Sequence, residues 1–137
     1  MWSNFNSMPK ILKFLTAHSM FCFVFFIISV VPSDSFSING RHVTYAEWWS
    51  SGAGIFASLL GITGPIVGWS LLTKQPQARS WYLLFLAVAC IVPYPFMGQP
   101  ALALFGLLLL GAAAWYLYRW QSVQVYFAPN HSFNRTR

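Results

Sequence analysis

The side chains able to do chemistry in this chain are few, and their spacing limits what they can do. Three histidines, two cysteines and two side-chain carboxylates are the candidate metal ligands and the first candidates for acid–base work. His18 and Cys22 stand four residues apart in an apolar run, a spacing that puts two side chains on one helix face. A zinc-type site takes three or four ligands, and no third donor lies nearby, so no metal is predicted. Cys22 and Cys90 lack any CxxC or Cys/His spacing and read as free thiols inside apolar runs. The densest polar collection is Asp34, Asn39, Arg41, His42, Tyr45 and Glu47. His42 with Glu47 is the one acid–base pair it offers, but no nucleophile with an ordered base accompanies it. The expectation is a protein without catalytic residues and without a cofactor. Arg41, His42, Tyr45, Trp48 and Trp49 remain as a candidate partner-binding set, because Tyr, Trp and Arg are the types found at binding hot spots. The same aromatic types also anchor helices at the membrane surface.

The elements that must position these residues follow from composition. Of 137 residues, 57% are hydrophobic, 19% aromatic and only 7% charged. A soluble domain carries roughly 25% charged residues, so most of this chain's surface must face lipid. The net charge of +6 does not point to nucleic acid, since the basic residues sit one or two at a time beside apolar runs and form no phosphate-binding face. The pattern predicts an all-α membrane protein: a four-helix transmembrane bundle over residues 1–128, with a short outer β-hairpin-like loop.

Helix one is expected over about 10–31, ended by Pro32. Its Phe-rich body, Phe21 to Phe26, reads as a lipid-facing surface more than a tight helix contact. The apolar run from Phe14 to Val31 is longer than the h-region of a signal peptide and lacks a small-x-small site, so the helix is read as retained. Phe36-Ser37-Ile38 and Arg41-His42-Val43 flank Asn39-Gly40, the strongest short hairpin signal. Thr44-Tyr45-Ala46-Glu47 reads as a capping box, opening a helix expected to run unbroken over about 44–73. That helix carries Ala57, Gly61, Gly64 and Gly68 as a close-packing face of the GxxxG kind, able to hold the bundle or an oligomer together. Pro65 is expected to kink it near Ile62, with Thr63 placed to mend the lost bond. Helices three and four are expected over about 78–92 and 100–120. Gly106, Gly111 and Ala112-Ala113-Ala114 offer a second small-residue face. Residues 121–128 fit either a short strand or an extension of helix four, and 129–137 read as a flexible cytoplasmic tail.

Basic residues near the span ends set orientation. Lys10, Lys13, Lys74, Arg79, Arg119, Arg135 and Arg137 fall on one side and only Arg41 on the other. This predicts an inner (plasma) membrane protein with both termini cytoplasmic. The sequons at Asn130 and Asn134 would then stay unmodified.

The start of the third helix, Ala78-Arg79-Ser80-Trp81-Tyr82-Leu83, and the ending Trp115-Tyr116-Leu117-Tyr118 to Val125-Tyr126-Phe127 resemble those of small four-span inner-membrane proteins of bacteria. The resemblance implies a fold and a location and carries no functional residue. In topology alone the chain is similar to immunity proteins against pore-forming bacteriocins.

These readings combine into an expected function. The chain is a non-catalytic accessory, regulatory or immunity-type membrane protein, with loop 33–49 as the surface for a membrane or periplasmic partner. Membrane lipid surrounds it, no nucleic acid is involved, and a homo-oligomer is open. The alternative is a small oligomeric transporter or channel, which would have to draw its polar line from His18, Ser58, Thr63 and Ser70.

Overall fold

The computed structural model describes residues 2–128. Four helical stretches are long and apolar enough to cross a bilayer: Lys10–Val30, Ala53–Leu72, Ala78–Pro95 and Pro100–Arg119, with mean hydropathies of 2.0, 1.8, 1.3 and 1.9. The chain is thus a multi-pass, all-α membrane protein with, among the described residues, one hairpin of two two-residue strands. Strict alternation of the spans gathers residues 10, 73–77 and 119 at one end, the terminal end. The hairpin and the 97–99 turn lie at the other, the hairpin end.

A short helix α1 (Trp2–Ser7) leads into the first span, which is two helices, α2 (Lys10–Phe21) and α3 (Phe23–Val30). At the junction the Cys22 N–H donates to both His18 O (3.1 Å) and Ser19 O (3.3 Å), and the Phe25 N–H reaches back only three residues to Cys22 O at 2.9 Å. One turn is therefore wound more tightly than an α-helix. The span ends where expected: Val31 is extended (ψ 120), as the residue before a proline must be.

Strands β1 (Ser37–Ile38) and β2 (Arg41–His42) pair antiparallel, Ser37 with His42 and Ile38 with Arg41. Asn39 and Gly40 both have positive φ, 52° and 78°, the two-residue turn that Asn-Gly favours in a hairpin. The helix expected over 44–73 is two helices, α4 (Tyr45–Ser50) and α5 (Ala53–Leu72). Gly52 separates them at φ 82°, a left-handed conformation that glycine adopts without cost and that commonly closes a helix. Pro65 sits inside α5 without ending it. The Thr63 hydroxyl donates to Leu59 O at 2.7 Å and so does not reach the Gly61 carbonyl that a proline four residues on leaves free.

The third span is α6 (Ala78–Cys90) followed by the one-turn α7 (Pro93–Phe96), and the fourth is α8 (Pro100–Arg119). The helix breaks again at Trp120 (ψ 119) before α9 (Gln121–Phe127), so the 121–128 segment is neither strand nor extension of the fourth span.

The long helices pack in chain order: α2 and α3 on α5, α5 on α6, α6 on α8. The seam between the first and second spans is close because it is small against small. A Cβ on Gly64 would lie 2.6 Å from Cys22 Cβ and 2.7 Å from Ser19 O, and one on Gly68 would lie 2.8 Å from Met20 Cγ. One on Gly61 would meet the Phe26 backbone. Thr16, Ser19, Cys22 and Ser29 form the facing side and are all buried. The Ser19 hydroxyl donates across the seam to Gly64 O at 2.7 Å. The first span is thus the tightest partner of the second, while Phe14, Phe21, Phe23 and Phe25 do face outward. Gly106 packs on the Cys90 carbonyl, but Gly111 has nothing within 4 Å.

At the terminal end the Lys74 and Gln75 N–H groups donate to Leu71 O and Ser70 O, and the Leu72 carbonyl, an end group without an intrahelical donor, is taken by the outermost elements. Asn4 Nδ2 donates to Leu72 O at 3.2 Å. The Tyr126 hydroxyl lies 3.4 Å from Leu71 O and 3.3 Å from Leu72 O. Lys74 Nζ sits 4.4 Å over the Tyr126 ring, and the Arg79 guanidinium lies 4.9 Å from Tyr118 and 5.2 Å from Phe127. These cation–π contacts close a collar of α1 and α9 around the base of the bundle.

Candidate functional site

The hairpin end carries the residues singled out above, and the structure sorts them into two groups. Phe36 and Val43 flank the hairpin and are buried, with the Val43 N–H donating to Phe36 O at 3.0 Å. Phe36 stacks on Trp48 at 4.8 Å and 16°, Tyr45 lies 6.0 Å from Phe36, and Trp49 meets Tyr45 edge-on at 6.3 Å. The aromatic rings therefore fasten the hairpin down onto α4.

The same rings fasten α4 to the spans. Trp48 Nε1 donates to Ser29 Oγ at 3.1 Å, and Ser29 Oγ donates in turn to Gly54 O at 2.8 Å. A Cβ on Gly54 would lie 2.9 Å from the Trp48 ring, so the glycine is what lets the indole reach the serine. The Tyr45 hydroxyl donates to Val30 O at 3.0 Å, satisfying an end carbonyl of α3. Thr44 and Glu47 form the expected capping box. The Thr44 N–H donates to Glu47 Oε2 at 2.8 Å, the Glu47 N–H donates to Thr44 Oγ1 at 3.2 Å, and the Thr44 hydroxyl also meets Oε2 at 3.2 Å. The Thr44 backbone N–H first, then its hydroxyl, then the nearby Arg41 charge, hold the Glu47 carboxyl below its ordinary value.

Of the predicted partner-binding set, Arg41 and His42 are exposed on β2, whereas Tyr45, Trp48 and Trp49 are half-buried and engaged within the chain. Glu47 is committed to Thr44, so the imagined His42–Glu47 acid–base pair has its carboxylate already occupied. Trp49 Nε1 and Ser58 Oγ are buried with no hydrogen-bond partner among the described residues. Ser58 would ordinarily bond back to the carbonyl four residues earlier, and that carbonyl, on Gly54, is held by Ser29.

His18 and Cys22 do not converge as their spacing suggested. His18 is exposed, its ring stacked 6.3 Å from Phe14, while Cys22 is buried with its thiol on His18 O at 3.4 Å. No group of three or more His, Cys, Asp and Glu side chains gathers among the described residues. Of the four residues proposed for a polar pathway, Thr63 and Ser70 line one apolar groove, and Ser58 and His18 stand outside it. Ser58 and Ser70 are buried, the latter bonded to Val67 O at 2.7 Å. The groove, of about 460 Å³, lies between α5 and α6, and His18 faces out from the first span.

Ala57, Gly61, Gly64 and Gly68 lie on α5, half-buried in the first case and buried in the other three; the three glycines are covered by the first span. Ser29, Phe36 and Gly54 were missed as site residues. Phe36 had a signal, being the apolar residue one step before the strand. Ser29 stood as a lone hydroxyl in an Ile/Val run, with nothing in sequence to name its partner nineteen residues on. Comparison of the chain with protein-family models, curated proteins and solved structures finds no match.

Proposed function

We propose that this chain is a non-catalytic protein of the bacterial inner membrane, accessory, regulatory or immunity-type, whose hairpin cap over residues 33–49 is the docking surface for another membrane or periplasmic protein. In this reading both termini are cytoplasmic, and the hairpin end faces outward. Support for the orientation comes from Lys10, Lys13, Lys74, Arg79 and Arg119 at the terminal end against Arg41 alone at the other, the asymmetry that cytoplasmic loops carry.

The observation that carries the reading is the division of labour within the cap. Its aromatic residues and the Glu47 carboxylate are consumed in holding a hairpin rigid over the ends of α3 and α5, and the exposed remainder includes Arg41 and His42 on a paired strand. A rigid surface loses little conformational entropy on binding, and an Arg beside an imidazole offers several directed donors.

The test is site-specific photocross-linking in cells. A photoreactive residue at Ile38 should trap one protein partner, and the Arg41→Ala/His42→Ala double variant should abolish that product while the protein level stays unchanged. The same probe at Pro95 should trap none. An identical product from both probes, or one indifferent to the double variant, overturns the cap as the docking surface.

A further inference from the structure

The first span has two seams, and the fold uses only one. Thr16, Ser19, Cys22 and Ser29 are buried against α5. On another face, Ile11, Phe14, His18, Phe21, Phe25 and Ile28 recur at intervals of three and four residues, the spacing of a coiled-coil seam. All six face outward, the five apolar side chains by 53%, 67%, 71%, 51% and 55% in that order. The tight turn at Cys22 does not take any of them out of the stripe.

His18 does not suit a purely lipid-facing stripe. It lies about 12 Å along the helix axis from Lys10 and roughly 7 Å from Lys13, inside a hydrocarbon core of ~30 Å. A short imidazole there does not reach the headgroups as a lysine stem would. Its ring makes no hydrogen bond among the described residues, its recorded contact being the stack on Phe14. Ionisable side chains at such positions almost always face another helix or a polar cavity, and the groove between α5 and α6 is lined by none of the six residues of this face.

We infer that the occupant of this face is a second copy of the chain, packed in parallel about a two-fold axis normal to the membrane. Copies inserted in the same orientation hold His18 at the same depth, so a seam close to an axis normal to the membrane brings it opposite its own counterpart, the other pairs being reciprocal. A neutral imidazole carries one N–H donor and one bare nitrogen acceptor, so two of them form a self-complementary pair. A single polar residue in an apolar seam is also the device that sets register and two-strandedness in coiled coils. The area is sufficient. At 67%, 71% and 51% exposure, the three phenylalanines offer on the order of 400 Å² per copy. Two copies therefore cover roughly 800 Å² before Ile11, His18 and Ile28 are added, against the ~1,000 Å² of a specific interface. The small-residue face of α5 is not available for this role, because the same chain's first span already fills it.

The test is a cysteine scan of the full chain, Cys22→Ala and Cys90→Ala in background, in vesicles of mixed phosphatidylethanolamine and phosphatidylglycerol. Single cysteines at 11, 14, 18, 21, 25 and 28 should cross-link to dimer, and those at Phe23, Ile27 and Val30, exposed but off the seam, should not. In the chain with its native cysteines, His18→Ala should weaken self-association, read by energy transfer on lipid dilution, by roughly three- to thirty-fold, the span of interhelical hydrogen bonds in membranes. His18→Asn, which keeps a donor and an acceptor, should retain most of it. Energy transfer no higher than for a non-interacting span, cross-links that peak off the seam, or His18→Ala without effect would each overturn the dimer.

Discussion

At the scale of single residues, Ser29 holds the hairpin cap on the bundle, because its one hydroxyl both accepts from Trp48 Nε1 and donates to Gly54 O. Ser29→Ala leaves a part-buried indole N–H without an acceptor, a loss of about 1–3 kcal/mol. The expected result is a lower detergent-unfolding midpoint together with a red shift of tryptophan emission. An unchanged midpoint would show that the cap is held by ring packing alone. Glu47 makes the cap sensitive to acid. Its folded carboxyl is held below the ordinary value by the Thr44 N–H, the Thr44 hydroxyl and Arg41. The corresponding stability is therefore fully present above a pH of about 4.3 and is lost as pH falls through the lower, folded value. Limited proteolysis within 33–43 should accelerate as the pH drops below 4, and Glu47→Gln should remove that pH dependence. A pH profile shared by the variant and the native chain would rule the capping box out as its source.

Among the elements, the contact between the first span and α5 is the one that tolerates least. Gly64→Ala drives a methyl group into Cys22 Cβ and Ser19 O, an overpacking worth about 1–3 kcal/mol, and Gly64→Leu is worse. Gly111→Ala, with nothing within 4 Å, and Phe23→Leu, exposed and off the seam of the proposed dimer, should leave the unfolding midpoint in place. Equal effects from all of them would remove the packing argument. Features that depend on a few adjacent residues were legible beforehand: the Asn39-Gly40 turn, the Thr44–Glu47 box, the stop before Pro32 and the glycine face of α5, whereas α6 ends at Cys90 and Pro93 opens the next helical turn. The break at Gly52 had its signal, a glycine after Ser50-Ser51, but the apolar run beyond it read as one helix with α4. The tight turn at Cys22, which lies where the first span meets Gly64 of α5, has no mark in the sequence. Whether Trp48 points to lipid, partner or core depends on Ser29 beneath it, and that is set by tertiary packing across nineteen residues.

Over the whole molecule, the spans stack in chain order with polar ends of opposite character. The terminal end holds Lys10, Lys13, Lys74, Arg79 and Arg119, and the hairpin end holds Asp34, Arg41 and Glu47. On the proposed orientation, cysteines placed at Asn39 and Gly98 should react with an impermeant maleimide in cells whose outer membrane alone is permeabilised. A cysteine at Gln75 should react only after the inner membrane is opened. Labelling of Gln75 before that step would invert the topology.

The collar adds a matter of timing. The carbonyl of Leu72 is bonded by Asn4 near the start of the chain and by Tyr126 near residue 128. During translation the first two spans can settle against each other as soon as both have left the translocon, since their seam needs nothing downstream. The base beneath them stays open until α9 emerges, so assembly of this protein is early in its middle and late at its rim. A ribosome stalled before residue 121 would leave a paired but unsealed intermediate in the membrane.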